Sequence, residues 1–369
     1  MLLPSFADNT LKIKSTMKSS KLFKYACAGI YIGLLYTGAS LLGSHQSPTW
    51  DGDLIVTGDT ILEQTLEVQG EDGVLFDGEF GQGTIPEEGA GTRFMWYPGK
   101  AALRAGRITS GFGSDAWDDV NVGEHSVAFG RNANASGDFS FAAGGASSAT
   151  DDYSFSVGDG THASGRASFA AGDNTAASEW GSAAFGQYSI ASGARAFSVG
   201  FESWGLGASS AAFGDGTTAL GNYSFAGGVI SSATGNLAFA YGWAVSGNGS
   251  HSTAFGHDTT ANGGTSFATG RNTFAGGDYS TSAGYYTQAE SRASFVVGSY
   301  NELLGGSHDE WQEEDPLFVV GNGTDWNDRS NAMVVYKDGD IHVPDGAVRV
   351  HPQGDIGMDG FDEGPDPAQ

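Results

Sequence analysis

Cysteine is almost missing from this chain, whose 369 residues include only Cys27. A disulfide needs two cysteines and a thiolate metal site needs several, so the fold depends on neither. Proline is also scarce, at 9 residues, and charged residues make up only 16%. Proline-rich linkers and disordered chains have the opposite composition. The sequence therefore predicts an ordered chain without covalent cross-links.

Basic residues are few as well, with 17 lysines and arginines against 43 acids and a net charge of −26. Five of the basic residues lie in the first 47 positions beside a single acid, which leaves 12 basic and 42 acidic residues in the remainder. Nucleic acids and anionic membrane surfaces bind through lysine and arginine. This composition argues against both as partners of the folded part.

The amino-terminal segment has the order of a secretory signal peptide. Three lysines at 18, 21 and 24 precede an apolar run at 25–42, and small residues follow. We expect cleavage after Ala39, Ser40 or Ser44, with Met1 or Met17 as the start. An uncleaved anchor is the alternative, because the run is just long enough to span a membrane. Cys27 lies too early in the run for a lipidation site.

Glycine is abundant and periodic. Of 59 glycines, 23 occupy the 26 positions that recur every seven residues from 123 to 298, with Asp151, Glu179 and Ser291 as the exceptions. Two kinds of heptad alternate, so the repeat has 14 residues. The first kind is exemplified by 124–130 (EHSVAFG) and has Ser at its third position in 11 of 13 copies; the second is exemplified by 131–137 (RNANASG).

The repeat is typical of strands and not of a coiled coil. A coiled coil needs large apolar residues at two positions of each heptad, whereas the constant residues here are Ser, Ala and Gly at positions three, five and seven. A spacing of two is the strand period, and interior glycine disfavours helix by about 1 kcal/mol. We therefore predict a parallel β-solenoid in which each heptad is a short strand closed by a glycine turn with positive φ.

The two faces of each strand differ in residue size. Positions three, five and seven hold small residues and are predicted to face the interior. Positions four and six point outward, and in the first heptad kind they form an apolar stripe that identical copies around a common axis would bury. The residues expected at this trimer interface are Val127, Phe129, Phe141, Phe155, Val157, Phe169, Phe185, Phe197, Val199, Phe213, Phe225, Phe239, Tyr241, Phe255, Phe267, Phe295 and Val297.

The outward positions of the second heptad kind are mostly polar, as at Asn134 and Ser136. Aromatic residues interrupt this face at Trp204 and Phe274, and Trp180 lies beside it. We predict these three as ligand-contact residues, against the alternative of local packing. The expected ligand is an unidentified surface glycan or matrix protein.

These heptads resemble the head repeats of trimeric autotransporter adhesins, the Yersinia-adhesin-type head. That family pairs a Ser-Val-Ala-apolar-Gly heptad with an Ala-Ser-Gly heptad, as Ser126–Gly130 and Asn134–Gly137 do. The resemblance covers 123–298 and implies a homotrimeric, left-handed parallel β-roll with a role in adhesion at the bacterial surface. We find no neck motif, stalk or anchor strands of that family after residue 300, so we expect a different means of surface retention.

The fold class expected is all-β: a parallel β-roll of 14-residue repeats, homotrimeric, with small β caps at both ends. The parts are an export signal segment (1–47), a strand-rich amino-terminal cap (48–122), the roll (123–298), a carboxy-terminal β cap (299–351) and an acidic tail (352–369). An aromatic group of Phe94, Trp96, Tyr97 and Trp117 is predicted to fill the first cap, with a carbohydrate-binding platform as the alternative. In the second cap we predict three strands around Phe318–Val320, Met333–Val335 and Ile341–Val343.

No chemistry of catalysis is predicted. The sequence has no HExxH, Walker A, Rossmann glycine or GxSxG motif, and no cofactor or metal is expected. Asp51/Asp53 and Asp338/Asp340 suit hairpin turns, with calcium binding as the alternative. Two acids that replace glycines, Asp151 and Glu179, are two coils apart, which disfavours a glycan-cleaving enzyme. An ice-binding face is also disfavoured, since the repeated threonines share the inward parity.

We therefore expect an exported adhesin-like structural protein at the cell surface or outside the cell. The flanks 89–98, 117–123 and 315–343 resemble those of bacterial secreted or phage-fibre-like proteins that have the same head. An extracellular or phage tail-fibre-like component is accordingly the alternative function.

Overall fold

A computed structural model describes residues 74–111 and 113–344. The chain divides into two compact units at residues 1–76 and 77–369, and the description below concerns the second. The predicted export segment, the first part of the amino-terminal cap and the acidic tail lie outside the described residues. Within those residues, no helix has the length and apolarity required to cross a membrane.

Each 14-residue repeat forms one coil with two unequal strands. The first heptad supplies a wide strand of five residues, and the second supplies a narrow strand of two. The wide strands are β3 (Val127–Arg131), β5 (Phe141–Gly145), β7 (Phe155–Asp159), β9 (Phe169–Asp173), β11 (Ala183–Gln187), β13 (Phe197–Phe201), β15 (Ala211–Asp215), β17 (Phe225–Val229), β19 (Phe239–Trp243), β21 (Thr253–His257), β23 (Phe267–Arg271), β25 (Thr281–Tyr285) and β27 (Phe295–Ser299). The narrow strands are β4 (Asn134–Ala135), β6 (Ser148–Ala149), β8 (His162–Ala163), β10 (Ala176–Ala177), β12 (Ile190–Ala191), β14 (Trp204–Gly205), β16 (Thr218–Ala219), β18 (Ser232–Ala233), β20 (Ser246–Gly247), β22 (Thr260–Ala261), β24 (Phe274–Ala275) and β26 (Gln288–Ala289).

Successive coils stack in parallel with no change of register. Gly186 pairs with Gly200 on the wide side, and Ile190 pairs with Trp204 on the narrow side, so each residue lies beside the residue 14 positions later. The narrow strands form a 12-stranded sheet, while the wide strands belong to an 18-stranded sheet that also includes the flanks. The predicted parallel β-solenoid of 14-residue coils is confirmed.

The interior holds only small side chains, as predicted. Alanines from both strands of most coils, such as Ala184 and Ala191, are fully buried, and Ser156, Ser198 and Ser282 replace the wide-strand alanine in three coils. In six copies the third-position serine of the first heptad turns its hydroxyl back to the carbonyl three residues earlier, as Ser182 Oγ does to Glu179 O at 2.7 Å. This bond gives a buried hydroxyl a partner, which a polar group in a dry interior requires. The six repeated threonines are buried too: Thr161, Thr175, Thr217, Thr259, Thr273 and Thr287.

The turn prediction was wrong about which residue makes the corner. The residue with left-handed backbone is the second of every heptad, from His125 to Tyr300, and in 23 copies it is not glycine. Glycine at position seven is required instead by close stacking: a Cβ on any of these glycines from 123 to 298 would lie 1.8–2.3 Å from the carbonyl oxygen of the next coil. In the first heptad kind these glycines also have φ between 98° and 147°.

The chain enters the roll through an antiparallel strand pair. β1 (Gly91–Tyr97) pairs with β2 (Ala102–Ile108), and β2 continues in parallel onto β3. The 3-10 turns 98–100 and 119–121 flank this pair. Arg104 is fully buried in β2, where its guanidinium donates to Ser126 O at 3.0 Å and Ala135 O at 2.9 Å. Burial lowers the pKa of Arg104 to about 10, so the side chain stays charged at neutral pH.

The three strands predicted after the roll are present. β28 (Pro316–Asn322) adds in parallel to β27, and β29 (Asn331–Tyr336) and β30 (Ile341–His342) follow in antiparallel order. At the same end of the roll, the sheet of narrow strands is closed by a side chain instead of a strand. Asn301 accepts the Gln288 N–H at 2.8 Å and donates to Gln288 O at 3.1 Å, so its amide takes the place of another backbone strand.

Candidate assembly and ligand surfaces

The outer face of the wide strands, here called the wide face, carries three columns of side chains. Positions four and six of the first heptad point outward, as expected from strand alternation. The strand then continues one residue past the glycine, because Gln187 pairs with Phe201 in the ladder. Sequence reasoning missed this third column, since a turn was expected at the glycine.

The predicted interface residues all lie in wide strands, and the phenylalanines from Phe129 to Phe239 form a ladder of aromatic rings. None of the predicted interface residues is buried in the single chain, and the exposed fraction reaches 50% at Phe255. Neighbouring rings are 4.6–6.1 Å apart from Phe129 to Phe239. The pairs in order are Phe129–Phe141, Phe141–Phe155, Phe155–Phe169, Phe169–Phe185, Phe185–Phe197, Phe197–Phe213, Phe213–Phe225 and Phe225–Phe239.

This ladder is a large apolar surface on the outside of a chain whose interior holds alanine and serine. Fully burying one Phe or Val side chain is worth about 1.5–3 kcal/mol. Monomeric soluble proteins rarely expose contiguous apolar patches of more than a few hundred Å². The arrangement is therefore suited to association through the wide face.

The three predicted ligand-contact residues do not form one site. Trp204 in β14 and Phe274 in β24 both lie on the outer face of the narrow strands, here called the narrow face, but five coils separate them, or about 24 Å. Trp180 is exposed at a corner of the coil, outside both sheets. These three residues were grouped because they are aromatic, but they lie far apart in the structure.

Trp204 instead has apolar neighbours that the sequence reasoning did not single out. The ladder places Ile190 and Thr218 beside it, and Leu206 and Leu220 share the outward parity on the same face. Leu220 and Trp204 are exposed. These four apolar residues (190, 204, 206 and 220) occupy three consecutive coils and constitute the narrow-face patch. The sequence does indicate this patch, because large residues occupy the outward positions of three consecutive heptads of the second kind.

The aromatic group before the roll is divided between buried and accessible rings. Trp117 is fully buried and donates its Nε1 hydrogen to Ala133 O at 2.7 Å, and Tyr97 is 5% exposed. Phe94 is exposed. Two of the four rings are thus sequestered from solvent, which removes the faces that a sugar would stack on.

Two corners flank the wide face. The leading corner consists of positions one and two of the first heptad kind (124–125 and every fourteenth residue after). The trailing corner consists of the same positions of the second kind (131–132 and onward), so it includes the third column of the wide face. Arginines of the leading corner lie over aromatic rings one coil away. Arg195 Cζ is 5.8 Å from the Trp180 ring centre, and Arg166 Cζ is 5.5 Å from that of Tyr153.

The described acids that the sequence singled out make local hydrogen bonds. Asp151 Oδ1 accepts the neighbouring Asp152 N–H at 2.8 Å, and Asp338 Oδ1 accepts the Asp340 N–H in a hairpin turn. A hydrogen bond with Tyr285 raises the pKa of Tyr300 to about 12. Residues 74–111 and 113–344 contain no group of three or more metal-ligating side chains.

The repeats match a known family. Residues 122–147, 205–224 and 248–273 match the YadA head domain repeat, found in two copies. No curated protein matches the chain significantly. The matched residues lie within the stacked coils, apart from Val122 immediately before them. Sequence match and coil geometry together identify this part of the chain as repeats of the trimeric autotransporter adhesin head type.

Proposed function

We propose that the protein is an exported, adhesin-like structural protein that acts at the bacterial surface or outside the cell. Three copies associate in parallel with their wide faces around a common axis, and their narrow faces are displayed to the surroundings. The observation that carries this proposal is the exposed aromatic ladder of the wide face, which runs along the stacked coils. The match to adhesin head repeats supports the same arrangement and a left-handed roll.

The strand sets at the two ends act as caps. Arg104 occupies carbonyl groups of the first coil, and the Asn301 amide occupies the last narrow strand. A stacked roll needs such ends, because open strand edges pair with other chains. The caps therefore limit growth along the rod, and association is left to the wide face.

The molar mass in solution tests the assembly. Light scattering after size exclusion should give three times the mass of one chain, because parallel copies around one axis bury every ladder residue. A stable monomer with intact β structure would contradict the proposal. A dimer would retain the wide-face contact but overturn the threefold arrangement.

Adhesion is tested by binding to immobilised glycans and matrix proteins. The assembled protein should bind a subset of them, and Trp204→Ser should lower the affinity at least about tenfold, because aromatic side chains often supply hot-spot energy. Thr260→Ser, on the same face three coils beyond Thr218, is the matched control and should bind as the native chain does. Equal binding by both variants would exclude the narrow-face patch as the adhesive site.

A further inference from the structure

The two corners expose large apolar side chains at the same coils. On the leading corner Tyr223 and Leu237 are 60% and 51% exposed, in the coils of β17 and β19. On the trailing corner of those coils Ile230 is 61% exposed and Trp243 is 44% exposed. Both patches lie outside the two sheets' interior and are separated within one chain by the width of a wide strand.

Parallel association brings these two patches together. A rotation about an axis along the rod keeps every coil at its own height. When the wide faces point toward that axis, the rotation also brings the leading corner of one copy beside the trailing corner of the next. This step rests on the proposed parallel association but not on the number of copies.

Opposite charges occupy the two corners of three coils. Arg195 on the leading corner shares its coil with Glu202 on the trailing corner, and both are exposed. In the first coil the signs are reversed, with Glu124 leading and Arg131 trailing. Neither Arg195 nor Glu202 makes an ion pair within the residues that the structure describes. Among those residues the Arg195 guanidinium lies over the Trp180 ring and is free to pair with a carboxylate of another copy.

A third coil fits the same pairing, with Arg166 on the leading corner and Asp173 on the trailing corner. The coil before it has like charges on its two corners, Asp152 and Asp159, and Arg166 lies one coil from each. No arginine meets an arginine in any coil. Complementary charge of this kind fixes register more than it adds affinity.

We infer that the leading corner of one copy and the trailing corner of the next form an intermolecular seam, in which Arg195 pairs with Glu202 of the neighbouring copy. Tyr223 and Leu237 pack there against Ile230 and Trp243 of the neighbour. The aromatic ladder forms the centre of the interface. The charged pairs of the seam lie at its rim and fix how the copies align along the rod.

Disulfide trapping tests the seam directly in the full chain with Cys27→Ser. Arg195→Cys and Glu202→Cys are combined; within one chain these positions flank a five-residue strand of about 13 Å, beyond the roughly 7 Å that a disulfide allows between Cα atoms. Oxidation should therefore yield covalently linked copies on a non-reducing gel. Arg195→Cys with Asp258→Cys is the control, because Asp258 holds the same corner position four coils away, and it should stay largely unlinked.

Equal linking in both double variants would overturn the seam, and so would no linking in a protein that still assembles. In the second case the proposed association would survive, because mass and cross-linking are measured separately. A protein that does not assemble at all would remove both proposals.

A charge exchange supplies an independent readout. Arg195→Glu or Glu202→Arg alone should raise the concentration at which half the assembly dissociates by about tenfold, because each creates like charges at the seam. The double exchange should return it to within about threefold of the native value. A double variant as weak as either single one would contradict the pairing.

Discussion

At the scale of single residues, two positions of the heptad have properties that usually favour glycine, but the properties differ. Position two carries the left-handed corner and accepts Asn, Tyr, Leu or Arg. At the glycines of position seven, an added Cβ would meet the carbonyl oxygen of the next coil. In the first heptad kind position seven also has positive φ, and glycine occupies all 13 copies; Asp151, Glu179 and Ser291 replace it only in the second kind.

Substitution of the two kinds of glycine should separate these properties. Gly200→Ala places a Cβ 1.9 Å from Gly214 O, and we expect a loss of about 3 kcal/mol or more in the free energy of unfolding. Gly216→Asn is the control, because its corner has φ of 61° and the nearest side-chain atom is 3.7 Å from an added Cβ. Asparagine tolerates this backbone, so its cost should stay below about 1 kcal/mol. Equal losses in urea unfolding would contradict the assignment.

At the scale of the elements, equal heptads produce strands of five and two residues. The wide strand passes through its glycine and ends on the next residue, which gives the wide face its third column. The narrow strand ends before its glycine. In four copies the serine or threonine hydroxyl just before this strand bonds to a carbonyl of the following coil, as Ser203 Oγ does to Gly214 O at 2.8 Å. The coil is therefore flat and dry inside, with unequal outer faces.

At the scale of the whole molecule, the usual distribution of apolar residues is inverted. Alanine and serine fill the interior, and the phenylalanines of the repeats lie outside. Small side chains bury little area each, so covering the ladder would add substantially to what the core of a single roll contributes. Association thus contributes to stability itself, and the folded chain and its assembly are linked by mass action.

Two phenylalanines seven residues apart allow this to be tested in one chain. Phe267→Glu introduces a charge on the wide face, where association would bury it, and should shift the mass toward one chain and lower the thermal midpoint. Phe274→Glu introduces the same charge on the narrow face and should leave the mass unchanged. Light scattering and circular dichroism report the two quantities. If Phe274→Glu dissociates the assembly and Phe267→Glu does not, the narrow face is the contact.

The sequence by itself determined the coil length, the parallel stacking, the small interior and the outward parity of the Phe/Val stripe. Each of these follows from residue size and from a period that repeats without interruption. The tertiary structure decided what depends on contacts between coils. It alone shows that position two makes the corner, that Trp117 is buried while Trp204 and Phe274 are far apart, and that Arg195 shares a coil with Glu202. These features depend on contacts between residues about 14 positions apart. The conformational preferences of single residues and their neighbours do not determine such contacts.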